Sequence, residues 1–465
     1  MQKTLVSLPY IYPLCPLNFN HAKLFVIADI VCRHQRTKGK AVIFPIGSHY
    51  SGNTAQKAVE ALTRYFAGTK NAQDKAIYQL YENFYKTPRY ILKTFSSPDY
   101  LLDYYTHEIY WELKSLSVSA DYDFEYNTSH EDYSVFIKSI LKYYEKSGLL
   151  IKNKNNDLAL DYDNLIWKEK AINLINNTYF NTNSHKNNIL SSIKNVRTDW
   201  KLLRDTGSGV KYQNQIIDPM FDSELFALFD LYMRFKDEFR SDCDNSQKFF
   251  DELLLALNSS HKSQNSLVNA IINCLPCDIF ICEEHLKNWI VKKFYAESIL
   301  LHSEFQTKKY LFIGMGLLDG KRMSASKNHS ILSKDLINQY GAKTARLVLL
   351  LSGGNIAKSC SYDRNLPSFA IKLMENLSAY LIGLISKSKQ NLNNLLETSS
   401  LKPDENTVII EEHINTGYYR QAIIELFINI PKKNRNPDKS TIVNLLSFYR
   451  KYLDIFLPGY FNNLK

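Results

Sequence analysis

A strand, a helix and a second strand follow one another within the first sixty residues, and nothing else in the chain narrows its fold as much. Thr4–Tyr10 has the composition of a strand, Pro13–Pro16 imposes an irregular turn, Phe19–Gly39 carries helical periodicity, and Ala41–Pro45 is a short apolar strand closed by Gly47. Two strands joined through a helix run parallel, so this unit predicts an open α/β sheet. Helical periodicity returns in Ala55–Gly68, Lys75–Lys86, Tyr100–Leu116 and Asp132–Gly148. From Lys152 to Asn195 the composition shifts to Asn and Lys, which predicts a weakly packed surface connection and a domain seam. A second sheet-like segment is expected from Trp200, returning at Leu275–Ile281 and Lys309–Leu317. Helices Phe221–Phe239, Gln247–Leu257 and Glu284–Leu301 separate these stretches. Beyond Pro367 the pattern is helical, broken at Leu401–Thr407 and Pro431–Pro437.

A chain of 465 residues has material for two to four domains. No repeat with a period of some 20–50 residues is visible, which excludes solenoids and propellers. Lys+Arg 57 against Asp+Glu 47 gives a formal charge of +10, compatible with a polyanionic partner without requiring one. Seven scattered cysteines predict reduced thiols. The proline-punctuated N-terminus lacks a signal-peptide pattern and no stretch reads as a membrane span, so a cytoplasmic protein without a membrane partner is expected.

Neither GxxxxGK[ST] nor a GxGxxG between strand and helix occurs. Two distant segments carry the chemistry instead. A helix opening near Asn18 offers free N–H groups and its positive dipole end to an anion such as a triphosphate, with Asn18 and His21 on one face of the first turn. The plainer reading makes His21 a packing or capping residue. Far downstream, Lys321, Arg322 and Lys327 surround Met323, Ser324, Ala325 and Ser326 in a Gly-containing turn that could close on pyrophosphate; a solvated basic turn is the plainer reading. Cys274, Cys277, Cys282 and His285 have zinc-ligand types but a weak spacing, and no metal site is expected of them.

These segments, in this order, resemble the class I aminoacyl-tRNA synthetases, and the archaeal and eukaryotic leucyl enzymes in particular. Leu8–Tyr12 through His21 resembles FPYPYxNGxLHxGH, and Arg33–Gly52 (RHQRTKGKAVIFPIGSHYSG) resembles the stretch that follows it. Trp200–Arg204 with Ile216–Ser223, Gly320–Lys327 (GKRMSASK) and Tyr340–Leu347 resemble the later blocks, together spanning about residues 4–365. The resemblance implies a Rossmann-like parallel sheet of the class I synthetase type, with a helical connective insertion and a C-terminal helical domain. It divides the chain into residues 1–60, 61–195, 196–365 and 366–465. The implied function is ATP-dependent activation of an amino acid, leucine or one with a similar apolar side chain, with ATP and Mg2+, and transfer to a tRNA.

Residue by residue, the resemblance assigns catalysis to His21, Asn18, Lys321, Arg322 and Lys327. ATP contacts fall to Asn18, Asn20, His21, Glu283, Glu284, Met323, Ser324 and Ser326, and amino-acid contacts to Tyr10, Tyr12, His49, Asp222 and Ser223. The signature histidine-glycine pair is altered to Asn18 and Asn20, a loop lysine to Ala325, and the glycine-aspartate motif near Glu283 is missing. A non-adenylating paralogue that binds an amino acid or tRNA therefore stands as the alternative. Some thirty residues around Lys152–Phe180 are too few for the family's editing domain. Lys432, Lys433, Arg435, Arg450 and Lys451 are the basic residues placed to meet tRNA phosphates.

Overall fold

The computed structural model describes residues 3–69, 71–196, 200–259, 263–283, 287–388 and 404–464. Its chain divides into two compact units. The first comprises Met1–Pro16, Ala41–Tyr110 and Ala120–Phe312; the second comprises Leu17–Lys40, Trp111–Ser119 and Ile313–Lys465.

The first unit is organised by a five-stranded sheet. Its strands are β1 (Lys3–Ser7), β2 (Ala41–Ile43), β3 (Tyr179–Phe180), β4 (Cys277–Glu283) and β5 (Lys309–Ile313), in the order β2-β1-β4-β5-β3. The pairs β1/β2, β1/β4 and β5/β3 are parallel, as the strand–helix–strand pattern predicts. Expectation and structure part in two places. The segments at Leu275–Ile281 and Lys309–Leu317 do not start a second sheet: β4 pairs directly with β1, Leu5 facing Cys277. Near Trp200 there is only a small antiparallel meander of Leu203–Arg204, Lys211–Tyr212 and Gln215–Ile217.

The Asn- and Lys-rich stretch is the second departure. Residues 152–195 contain one strand of an antiparallel hairpin (Leu150–Lys152 with Leu158–Leu160), helices Leu165–Asn177 and Asn183–Lys194, and the edge strand β3. Trp167, Ala171, Ile175, Ile189 and Ile193 are buried in the main core. The Trp167 indole donates to the Tyr295 carbonyl at 2.7 Å. Polar residues dominate the composition because each helix exposes one face, while the buried stripe is short and widely spaced. No β-rich domain occupies the stretch, and the seam expected here is absent.

In the second unit, helix α1 (Phe19–Thr37) is buried along most of its length. Asp29, fully buried at its middle, accepts from the Ser119 N–H (2.8 Å), Arg33 (2.8 Å) and Arg346 (2.6 Å). Arg346 also donates to the Leu116 and Phe456 carbonyls. Burial pushes the Asp29 carboxyl up, and Arg346 and Arg33 more than reverse this, holding it below the usual carboxylate range. The C-terminal region is helical as expected, from Leu366–Ser388 to Lys439–Phe456. Leu366–Ser388 is long and apolar enough to cross a membrane by length and hydropathy, contrary to the sequence expectation. Its Leu373, Leu377, Leu381 and Leu384, four and three apart, form a buried stripe within this unit.

Candidate active site

The first turn of α1 and the downstream basic loop are knitted together in the second unit. Leu17–Phe19 runs antiparallel to Ile331–Ser333: the Phe19 N–H donates to the Ile331 carbonyl, the Ser333 N–H to that of Leu17, both at 2.8 Å. Asn20 is buried, and its Oδ1 accepts the Gly316 N–H at 2.7 Å. Gly316 opens a hairpin of β6 (Gly316–Leu318) and β7 (Lys321–Arg322), closed by Asp319-Gly320 with φ of 50° and 74°. Two consecutive positive φ values are the signature of the tight turn that Asp-Gly favours. A third strand, β8 (Cys360–Ser361), lies parallel to β6.

Asn18 is the N-cap of α1. Its Oδ1 accepts from the N–H groups of Asn20 (2.9 Å) and His21 (3.0 Å), and its Nδ2 lies 3.2 Å from His21 Nδ1. An amide nitrogen only donates, so Nδ1 accepts and the proton of the neutral imidazole sits on Nε2. Burial pushes the His21 pKa down to about 4, which makes the neutral ring the resting form. The expectation of free N–H groups needs correction: those of Phe19, Asn20 and His21 are all engaged. The dipole remains, but an anion would meet side chains rather than bare amides.

After β7, Met323 is buried and its N–H donates to the Gly316 carbonyl. Ser324 and His329 bridge each other and close a loop over a single turn, Ala325–Lys327. Ala325, at the family's second lysine, is 8% exposed. Lys321, Arg322, Ser326 and Lys327 are exposed, and no ion pair engages these three cations among the described residues. Glu283 is buried at the end of β4; Glu284 lies outside the described residues.

The amino-acid candidates lie in the first unit. The His49 N–H donates to the Ile11 carbonyl, so the chain at Tyr10–Tyr12 runs beside Gly47–His49. His49 Nε2 is 2.8 Å from Asp222 Oδ1, whose other oxygen accepts from Ser51. Asp222 is fully buried; burial pushes its carboxyl up, and His49 opposes that shift. Tyr10 stacks on Phe226 with ring centroids 3.7 Å apart, His49 meets the same ring edge-on, and the Tyr10 hydroxyl donates to Asp230. A Cβ at Gly47 would fall 2.6 Å from the Tyr10 ring, so only glycine admits it there. The Tyr12 hydroxyl accepts the Ala55 N–H at 3.1 Å, and burial raises its pKa. Ser223 departs from the cluster: it donates to the Pro219 carbonyl and accepts from the Trp289 indole, closing its own turn.

Sequence reading missed Ser51, Phe226 and Asp230. Ser51 lies two residues beyond His49, and Asp230 is the lone acid in the apolar run FALFDLYMRF; both were visible signals. Cys277 and Cys282 are buried in β4, and burial pushes the Cys277 thiol up to about 12. His285 lies outside the described residues.

No family model matches the chain. The leucine–tRNA ligase of Pyrobaculum neutrophilum is 27% identical over 153 residues, 33% of this chain and 15% of that protein. That of Methanosarcina acetivorans is 27% identical over 180 residues, 37% of this chain and 18% of the relative. The match thus spans less than a fifth of these relatives' length. Mycobacterium tuberculosis methionyl-tRNA synthetase, solved with methionyl-adenylate, superimposes with a TM-score of 0.65 at 12% identity, covering 100% of this chain and 93% of that one. A second structure of the same enzyme gives 0.67 at 11% identity. This chain has the class I aminoacyl-tRNA synthetase fold. Its sequence is related at modest identity to archaeal leucine–tRNA ligases.

Proposed function

We propose that the chain is an ATP-dependent, leucine–tRNA ligase-like enzyme acting on leucine or a similar apolar amino acid. The carboxylate of the amino acid attacks the α-phosphorus of ATP, pyrophosphate leaves, and the aminoacyl group passes to a tRNA 3′ end. The observation that carries this reading is the knitting of α1's first turn to the basic hairpin, which leaves Lys321, Arg322 and Lys327 exposed beside a helix start. Cations held there offset charge that grows on the departing pyrophosphate. His21 contributes a neutral Nε2–H donor oriented by Asn18. In the first unit, Asp222 accepts Nε2–H of His49 and leaves its Nδ1 as the atom suited to a substrate amino group. The methionyl enzyme that shares the fold was solved holding an aminoacyl-adenylate, which supports the reaction class. Among the described residues no group of three or more His, Cys, Asp or Glu converges to hold a metal, so Mg2+ belongs to this reading as part of the ATP complex. A cytoplasmic setting goes with the proposal.

The occupied N–H groups of the first turn, Asn20 tied to Gly316 and the buried Ala325 favour a second reading, a non-adenylating protein that binds an amino acid or tRNA. ATP–pyrophosphate exchange with each of the twenty amino acids, alongside calorimetric titration, separates the two. Exchange with one amino acid supports the enzyme. Binding without exchange supports the second reading, and neither activity overturns both.

A further inference from the structure

Lys23, two residues beyond His21 on α1, is 4% exposed, and among the described residues its amine donates to the Ser352 carbonyl at 2.8 Å and to Cys360 Sγ at 3.1 Å. Cys360 is itself 5% exposed, on β8. Among the described residues no carboxylate pairs with Lys23. A buried amine is costly without hydrogen-bond partners, and here a backbone carbonyl and the sulfur are those partners. The arrangement is also crowded: a Cβ at Gly353 would lie 2.6 Å from Cys360 Cβ and 3.8 Å from Lys23 Nζ. Nitrogen and sulfur are therefore held face to face at little more than the span of a one-atom bridge.

We propose that Lys23 and Cys360 form an oxidative modification site, in which a peroxide links Nζ to Sγ through one oxygen atom. First Sγ attacks hydrogen peroxide; its O–O bond breaks, one oxygen bonds to sulfur as a sulfenic acid, and water leaves. A second peroxide oxidises the amine as an N–O bond closes onto the sulfenic oxygen, and two waters leave. Sulfur and nitrogen each lose two electrons, and the two peroxides accept all four. The product ties α1 to β8, whose Cys360 is the register partner of Gly316, the residue that Asn20 already holds. A reversible covalent lock would thus form beneath the hairpin that carries Lys321 and Arg322. The bridge stands on this geometry alone and does not depend on the reaction proposed above.

The test is tryptic mass spectrometry of the full-length protein after graded hydrogen peroxide, with and without later dithiothreitol. The expected result is a cross-linked pair of the Lys23 and Cys360 peptides, heavier than their sum by one oxygen atom and lighter by two hydrogens, and lost on reduction. It should be absent from Lys23→Arg, which retains the donor to Ser352, and from Cys360→Ser. Sulfinic acid at Cys360 with an unmodified Lys23 peptide would overturn the proposal, as would a cross-link lacking the oxygen.

Discussion

Asn18 is where residue chemistry and the family pattern diverge most usefully. The family's histidine is replaced by a residue that caps the helix and aims the next histidine, with both ends of its amide in use. Asn18→Ala should cost about 1 kcal/mol, the usual value of an N-cap. Asn18→Asp keeps the cap but removes the donor to Nδ1. Denaturant melts at neutral pH should therefore show it within about 0.5 kcal/mol of wild type, while NMR titration shows the His21 ring moved upward by the nearby carboxylate. His21 also makes stability depend on pH. Its folded pKa of about 4 lies below the unfolded 6.5, so its contribution is complete above pH 6.5 and is lost as pH falls towards 4. Over that window wild type should lose up to about 3 kcal/mol more than His21→Gln, read as the difference between their urea midpoints. The identity of these residues was legible in the sequence, but the engagement of the helix-start amides was not. For the Phe19 N–H it depends on Ile331, more than three hundred residues away, while those of Asn20 and His21 are held by Asn18 itself.

The hairpin and its loop show what an element adds to a motif. The Gly-containing turn expected here is the two-residue connection Asp319-Gly320, with Leu317 paired to Arg322 and Leu318 to Lys321. The family resemblance sets Ala325 where the loop carries a lysine, a lost cation. Packing changes that expectation, because the Ala325 methyl is buried and Ser324 and His329 close the loop over it. A lysine there must displace its neighbours, at about 1–3 kcal/mol. Ala325→Lys should therefore lower the melting temperature and leave exchange unimproved, whereas an accelerated exchange would mean that the loop opens during the reaction. The exposed cations carry the opposite expectation. If the enzyme reading holds, Lys327→Ala should reduce exchange by roughly 10²–10³-fold with little effect on stability, since a preorganised transition-state donor is lost and no packing is disturbed.

At the scale of the molecule, the parallel sheet and the helical C-terminal region were legible because period-two and period-3.6 patterns are local. The junctions were not, because they are set by contacts between residues far apart in sequence. β1 gave no sign that its partner would be β4, some 270 residues on, and the Asn- and Lys-rich stretch concealed a core segment. That stretch supplies the last prediction. If residues 152–195 were an appended connection, excising them would leave the rest folded. Instead Phe180 sits in the edge strand beside β5, and Trp167, 1% exposed, packs on Tyr162 and Tyr295 and donates to the Tyr295 carbonyl. Trp167→Ala should cost about 3–5 kcal/mol, as expected when a large buried ring is deleted. Replacing 152–195 by a short Gly/Ser linker exposes the apolar surface these helices cover and should give a chain without a cooperative thermal transition by circular dichroism. A linker variant melting cooperatively near the wild-type temperature would show that the core of the first unit closes without them.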